Sequence, residues 1–181
     1  MHSTQAIVIR RSRLTESSLI VSWISPEFGL FKTACKGALR PKSKQAGILD
    51  LFHLCEIQFV NSRSSDLHSL REVSLSNPFL GITSSYNRIA LASYAIELLC
   101  LSTESETPVP ELFSLFLRLL NHLNTNPASP KALLHFEAEL TRILGISSPS
   151  IPPILSLERF LHRLPKDRVN LVSRLALPSQ T

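Results

Sequence analysis

Residues 36–47 read KGALRPKSKQAG, with Lys36, Arg40, Lys42 and Lys44 and no carboxylate. The chemistry open to such a stretch is the gripping of phosphate. Lysine and arginine neutralise backbone charge and release condensed counterions, and they read no sequence in doing so. Pro41 fixes one backbone angle, so less freedom is lost when a ligand holds the loop. The acid-free run extends back to Phe28 and adds Lys32, while Arg10, Arg11 and Arg13 form a second basic cluster. Phe28, Phe31, Phe52 and Trp23 are candidate platforms for stacking unpaired bases, the device by which small barrels hold single strands of any sequence. The competing reading of the loop is a solvated surface, and of the rings an ordinary core.

No other pattern supports covalent chemistry. The chain has no G-x-x-x-x-G-K-[ST] and no G-x-G-x-x-G, so nothing points to nucleotide-driven work. His53 and Cys55, two apart on one side of a predicted strand, lack the further ligands that a zinc site needs. His122, His135 and His162 each stand alone on helical segments, and no Ser-His-Asp or Cys-His set has a supporting motif. Asp50, Glu56 and Asp66 fall in no metal-binding pattern and read as salt-bridge partners of nearby cations. The sequence predicts a binding protein, not an enzyme.

A chain of 181 residues suffices for one large domain or two small ones. A net charge of +5 and a pI of 9.4 favour a polyanionic partner. The charge is uneven: residues 1–80 hold ten Lys and Arg against six Asp and Glu, so +4 of the +5 sits in the first part. Cys35, Cys55 and Cys100 are odd in number with no C-x-x-C spacing, which argues for a reducing compartment. The start, MHSTQAIVIRR, places its charges after a short apolar run, the reverse of a secretory signal. IALASYAIELLCL is too short to span a bilayer and contains Glu97. A cytoplasmic protein with no membrane association is expected.

Two regions with different patterns must position these residues. To about residue 77 the chain runs in short β-like segments: AIVIR, SLIVSWI, FGLFKTACK, HLCEIQFV and LHSLREVSL, the last with alternation that fails at Leu70. SPEFG and NSRSSD are turns between them. Five short strands in so few residues suit a small, closed or partly open barrel. Beyond SNPF the pattern turns helical, with Asn77-Pro78 as a plausible helix start. YNRIALASYAIELLCL reads as a central buried helix and ELFSLFLRLLNHL as an amphipathic one. In NPASPKALLHFEAELTRILG, Ser129 can cap, Pro130 can take the first position and Gly145 can end the helix. LERFLHRL and DRVNLVSRL follow a proline-rich connector. The expected class is α+β, with all strands preceding all helices.

The stretch TESSLIVSWISPEFGLFKTACKGALRPKSKQAGILDLFHLCEIQF, followed by YNRIALASYAIELLCL, resembles the RecO family of bacterial recombination mediators. The resemblance rests on Glu16, Ser17, Glu27, Gly29, Lys36, Gly37, Ala38, Arg40, Pro41, Lys42, Ser43 and Gly47, with K-G-A-x-R-P-K-S its most specific part. Leu91, Ala92, Ser93, Tyr94 and Glu97 add a matching helix, and the likeness covers about residues 5–146. It implies an N-terminal OB-fold, residues 1–77, and a C-terminal helical domain, residues 78–181. It implies binding of single- and double-stranded DNA and annealing of complementary strands. Members act with RecR, and often RecF, to load RecA onto strands coated by single-strand-binding protein, whose acidic, apolar C-terminal tail docks on the helical domain. A cytoplasmic, nucleoid-associated protein is implied. Lys36, Arg40, Lys42 and Lys44 are then the expected DNA-binding residues, with a lesser share for Arg10, Arg11 and Arg13. Many members carry a four-cysteine zinc site after the third helix. Here that place reads GISSPSIPPILSL, so no zinc and no other cofactor is expected. Two alternatives stay open: a protein-interaction scaffold whose basic loop meets an acidic surface, and an RNA-binding barrel protein distinguished by the 2′-hydroxyl.

Overall fold

The computed structural model describes residues 1–45 and 47–176; the remainder of the predicted helical region, 177–181, lies outside the described residues. The strands are β1 (His2–Arg13), β2 (Leu19–Ser25), β3 (Gly29–Cys35), β4 (Leu54–Val60) and β5 (Leu67–Asn77). They close into a barrel in the order β1-β2-β3-β5-β4, antiparallel except for the parallel β3–β5 pair. This five-stranded closure is an OB-fold.

Alternation decides which side chains fill the barrel. Ala6, Val8, Val21, Trp23, Phe31, Cys35, Cys55, Ile57, Phe59 and Leu70 form one buried cluster. Trp23 Nε1–H donates to Thr33 Oγ1 at 2.9 Å, so two buried polar groups satisfy each other. Three bulges interrupt the strand registers, one of them at Ser76, between the partners of Leu54 and Cys55. In β1, Val8 opposes Trp23 and Arg10 opposes Ser22, which makes Ile9 an extra residue. In β5, Leu70 opposes Phe59 and Glu72 opposes Gln58, which makes Arg71 the extra one. A one-residue insertion swaps the inward parity from His68 and Leu70 to Val73, and this is why the alternation fails at Leu70.

The expected helix start at Asn77-Pro78 is corrected. Asn77 ends β5, and its Oδ1 accepts the Phe79 N–H at 2.9 Å. Phe79 is buried with φ +44°, a left-handed turn that separates Pro78 from the first helix. By contacts, Met1–Phe79 forms one compact unit together with Thr103–Phe113. The second unit is Leu80–Ser102 with the chain from Ser114 on. Thr103–Phe113 is a strap on the β3 edge of the barrel. Ser105 bridges Leu30 in parallel, the Glu106 N–H donates to Leu30 O at 2.9 Å, and the Val109 N–H donates to Pro26 O at 3.0 Å. Gly29, at φ +59°, lets the strap approach: a Cβ there would lie 1.9 Å from Thr107 O. His68 ties in a further loop, accepting from the Ser62 N–H at 3.2 Å through Nδ1 and meeting Glu106 Oε1 at 3.1 Å through Nε2.

The helices are α1 (Leu80–Thr83), α2 (Tyr86–Ser102), α3 (Pro110–Thr125), α4 (Pro130–Ile143), α5 (Pro153–Leu161) and α6 (Arg168–Ala176). On α2, Leu91, Ala92, Tyr94, Ala95, Leu98 and Leu99 are buried, while Glu97 and Cys100 are exposed. The ends of α4 follow from its sequence. Ser129 Oγ accepts the Ala132 N–H, Pro130 opens the helix, and Gly145 at φ +70° closes it. The Ile146 N–H to Thr141 O and Gly145 N–H to Arg142 O bonds, 3.0 and 3.1 Å, complete a Schellman turn. Glu137 of α4 is fully buried and holds α2 and α6 together: it accepts from Tyr94 Oη at 2.6 Å and from Arg168 Nε and a terminal guanidinium nitrogen at 2.7 and 2.9 Å.

Candidate nucleic-acid interface

The basic stretch is the β3–β4 connection, and it is a chain of turns rather than a free loop. Arg40 N–H bonds to Gly37 O at 3.1 Å, Ser43 N–H to Arg40 O at 2.9 Å, and Ile48 N–H to Gln45 O at 3.0 Å. Three apolar side chains pin it: Ala38, Leu49 and Phe52 are buried. Backbone bonds add to this. Leu39 N–H donates to Ser17 O at 3.0 Å in the β1–β2 turn, and Phe52 N–H donates to Val8 O at 2.9 Å on β1. His53 Nδ1–H donates to Ile48 O at 2.8 Å. With apolar residues inward and turns throughout, the charged residues have only solvent to enter. Lys36, Arg40, Lys42 and Lys44 are all exposed, and among the described residues none has an ion-pair partner.

The second cluster divides. Arg10 opposes Ser22, which opposes Lys32, so Arg10 and Lys32 share the outer face of the sheet about two strand spacings, or ~10 Å, apart. Arg11 opposes inward-facing Val21 but lies past the filled barrel. It turns onto the loop, bonding Leu49 O at 3.3 Å and Asp50 Oδ1 at 3.2 Å. Arg11 is an anchor of the loop. Arg13 opposes Leu19, which opposes Cys35, so it stands near the start of the loop, exposed. The sequence reading counted Lys32 as charge but did not place it at the interface. Its ion pair with Asp66, 3.5 Å between exposed groups, leaves it largely available.

The stacking platforms are corrected. Trp23, Phe31 and Phe52 are buried, because each falls on the inward parity of its strand or anchors the loop. Phe28 is half-buried and packs edge-on against His2, Phe31 and Phe59, with ring centroids 5.2, 6.1 and 5.1 Å apart. Cys35 and Cys55 are core thiols: burial pushes Cys35 up to about 11, and burial with the Glu56 charge pushes Cys55 up to about 12. Among the described residues, no group of three or more His, Cys, Asp or Glu is placed to hold a metal ion. The segment after Gly145 supplies no cysteine, so the residues present do not fit a four-cysteine zinc site.

A second feature lies between α3 and α4. A groove of about 360 Å³ has Leu115, Leu119, Ala132 and Phe136 as its floor and Arg118, His122, Lys131 and His135 around it. Arg118 and His122 are four apart on α3, and Lys131 and His135 are four apart on α4, so each pair shares a helix face. That spacing is visible in the sequence, but the meeting of the two faces is not. Glu139, the nearby carboxylate, is engaged by Arg142 at 3.2 Å and also lies 4.0 Å from Arg118. Among the described residues, no helix is long and apolar enough to cross a membrane.

A closed OB-fold with a pinned basic β3–β4 loop, followed by helices, defines the class of protein. Two family models fit it in tandem: the one described as Recombination protein O N terminal matches residues 1–79, and the one described as Recombination protein O C terminal matches residues 83–148. The chain belongs to the RecO family. It is 33% identical to the DNA repair protein RecO of Rhodopirellula baltica over 142 residues, 78% of this chain and 53% of the relative. It is 30% identical to that of Dehalococcoides mccartyi, over 78% of this chain and 55% of the relative. For Anaeromyxobacter dehalogenans the figures are 31%, 77% and 55%. The chain thus spans about half the length of the curated relatives it matches.

Proposed function

We propose that this chain is a DNA-binding recombination mediator of DNA repair, which grips single and double strands by their phosphates and anneals complementary strands. One observation carries the reading. Four exposed cations without ion-pair partners among the described residues sit on a loop whose apolar residues are buried in the barrel, so the backbone that carries the charges is pinned before a ligand arrives. Lys36, Arg40, Lys42 and Lys44 form the grip. Arg10, Arg13 and Lys32 extend it, and Arg11 fixes the loop. The relatives described above, each named DNA repair protein RecO, support the same reading. Annealing then requires no covalent step. Neutralised phosphates repel a second strand less, and exposed bases pair.

In this reading the protein acts with RecR, and with RecF, to load RecA onto DNA coated by single-strand-binding protein. The α3–α4 groove takes that protein's tail. Its apolar floor suits a terminal apolar side chain, and its basic surround suits the acidic residues before it. The protein works in the cytoplasm at the nucleoid and uses no zinc.

The test is annealing of two complementary oligonucleotides, one carrying a donor dye and the other an acceptor. The wild type is expected to accelerate pairing. The variant with Lys36, Arg40, Lys42 and Lys44 all changed to alanine is expected to lose most of that acceleration. Acceleration equal in both proteins would overturn the assignment of the grip, and none in the wild type would overturn the annealing activity.

A further inference from the structure

Among its described residues the barrel unit has the charge to hold a strand but no exposed Phe, Tyr or Trp ring on which to stack its bases. Trp23, Phe31, Phe52, Phe59 and Phe79 are each at most 4% exposed. Phe28 is engaged by three neighbouring rings. On the outer face of β1, β2 and β3, the side chains around Arg10 and Lys32 are Ser12, Ile20, Ser22 and Ala34. These are small or aliphatic, with no π-face. The loop adds glycine, alanine, proline and serine, and its one amide side chain, Gln45, has its Oε1 buried. Single-strand binders of the stacking kind need the opposite: rings laid out along a basic groove.

We infer that the barrel holds nucleic acid by its sugar-phosphate backbone alone and leaves the bases uncovered. This rests on the DNA-binding reading above and adds its specificity. A strand held this way is presented with its pairing edges open, which is the state that annealing requires. A base-stacking groove would have to release each base before it could pair. The grip is indifferent to sequence and to the presence of bases.

The experiment compares two labelled strands of equal length and equal phosphate number, one with ordinary bases and one abasic throughout. Both are titrated with the full chain at the same salt. Affinities within about twofold of each other are expected. One stacked base would favour the ordinary strand roughly fivefold to more than a hundredfold. Permanganate oxidation of thymines in the bound ordinary strand is expected to proceed as fast as in the free strand. A preference of about tenfold or more for the ordinary strand, or protection of its thymines, overturns the inference while leaving DNA binding intact. Binding to neither strand removes the DNA reading and the inference with it. Among the described residues of the helical unit, two Tyr or Phe rings are exposed, Tyr86 at 66%, with Arg174 over its ring at 4.3 Å, and Phe160 at 48%. Tyr86→Ala with Phe160→Ala is expected to change neither affinity. A loss confined to the ordinary strand would place stacking in that unit and overturn backbone-only binding.

Discussion

Changing Arg168 to alanine isolates the energetics of the helical unit. Glu137 is 0% exposed, and three hydrogen bonds of 2.6–2.9 Å meet its two oxygens, two of them from Arg168. Burial, reinforced by Glu137, pushes the Tyr94 hydroxyl up, and the hydrogen bond to Glu137 raises Arg168, so each partner is held in its donating form. Without Arg168 a carboxylate stays buried with no cation, which costs about 3–5 kcal/mol. Against a total stability of roughly 5–15 kcal/mol, that is about a fifth or more of what holds the fold together. Urea unfolding is the assay, with far-ultraviolet circular dichroism reporting the helices and Trp23, fully buried in the barrel, reporting the other unit by fluorescence. The control is Arg142→Ala, which breaks the exposed pair with Glu139 and is expected to cost less than about 1 kcal/mol. Arg168→Met with Glu137→Leu and Tyr94→Phe is expected to recover most of the loss, since the apolar set has no charge to desolvate and leaves no buried hydroxyl without an acceptor. A cost for Arg168→Ala no greater than that of the control would refute the argument.

Other perturbations test other parts of the account. Gly29→Ala forces a side chain into a left-handed position and against Thr107 O, so a loss of at least about 1–2 kcal/mol in urea unfolding is expected; an unchanged midpoint would mean that the strap is not seated on β3. Cys35 and Cys55 have folded values of about 11 and 12, against an ordinary 9.0, so their neutral forms contribute stability in full below pH about 9, and this is lost as pH rises towards 11 and 12. The melting temperature in reducing buffer should fall over that window, and Cys35→Ala with Cys55→Ala should flatten the fall; an identical slope would contradict it. Arg118→Glu with Lys131→Glu should abolish binding of an acidic peptide ending in an apolar residue while leaving affinity for single-stranded DNA unchanged. Retained peptide binding would remove the groove from the account.

The strands were legible because alternation and β-branched residues mark them, and the cap of α4 because Ser129, Pro130 and Gly145 each have one dominant local use. The bulges at Ile9 and Arg71 were not, since an extra residue leaves no mark in composition, and the one at Ile9 decides which way Arg10 and Arg11 turn. The exposure of the loop charges followed from residue type, as lysine and arginine are rarely buried. The fate of the rings did not: Phe52 and Phe31 are aromatic whether they face a groove or a core. The seating of Thr103–Phe113 on the barrel was not legible, because its partners Pro26 and Leu30 lie far away in sequence. Asn77-Pro78 carried a helix-start signal that Phe79, buried in a left-handed turn, delays by a residue or two.

The most direct test of the central claim is the salt dependence of single-strand binding, measured by fluorescence anisotropy for the wild type and for Lys36, Arg40, Lys42 and Lys44 changed together to alanine. Each lost phosphate contact should flatten the plot of log affinity against log salt by about 0.7, so four should flatten it by up to about 3. The account predicts a steep slope for the wild type between roughly 50 and 200 mM salt, and weaker, shallower binding for the variant. Equal affinity and equal slope in the two proteins would contradict it and place the phosphate grip away from the loop.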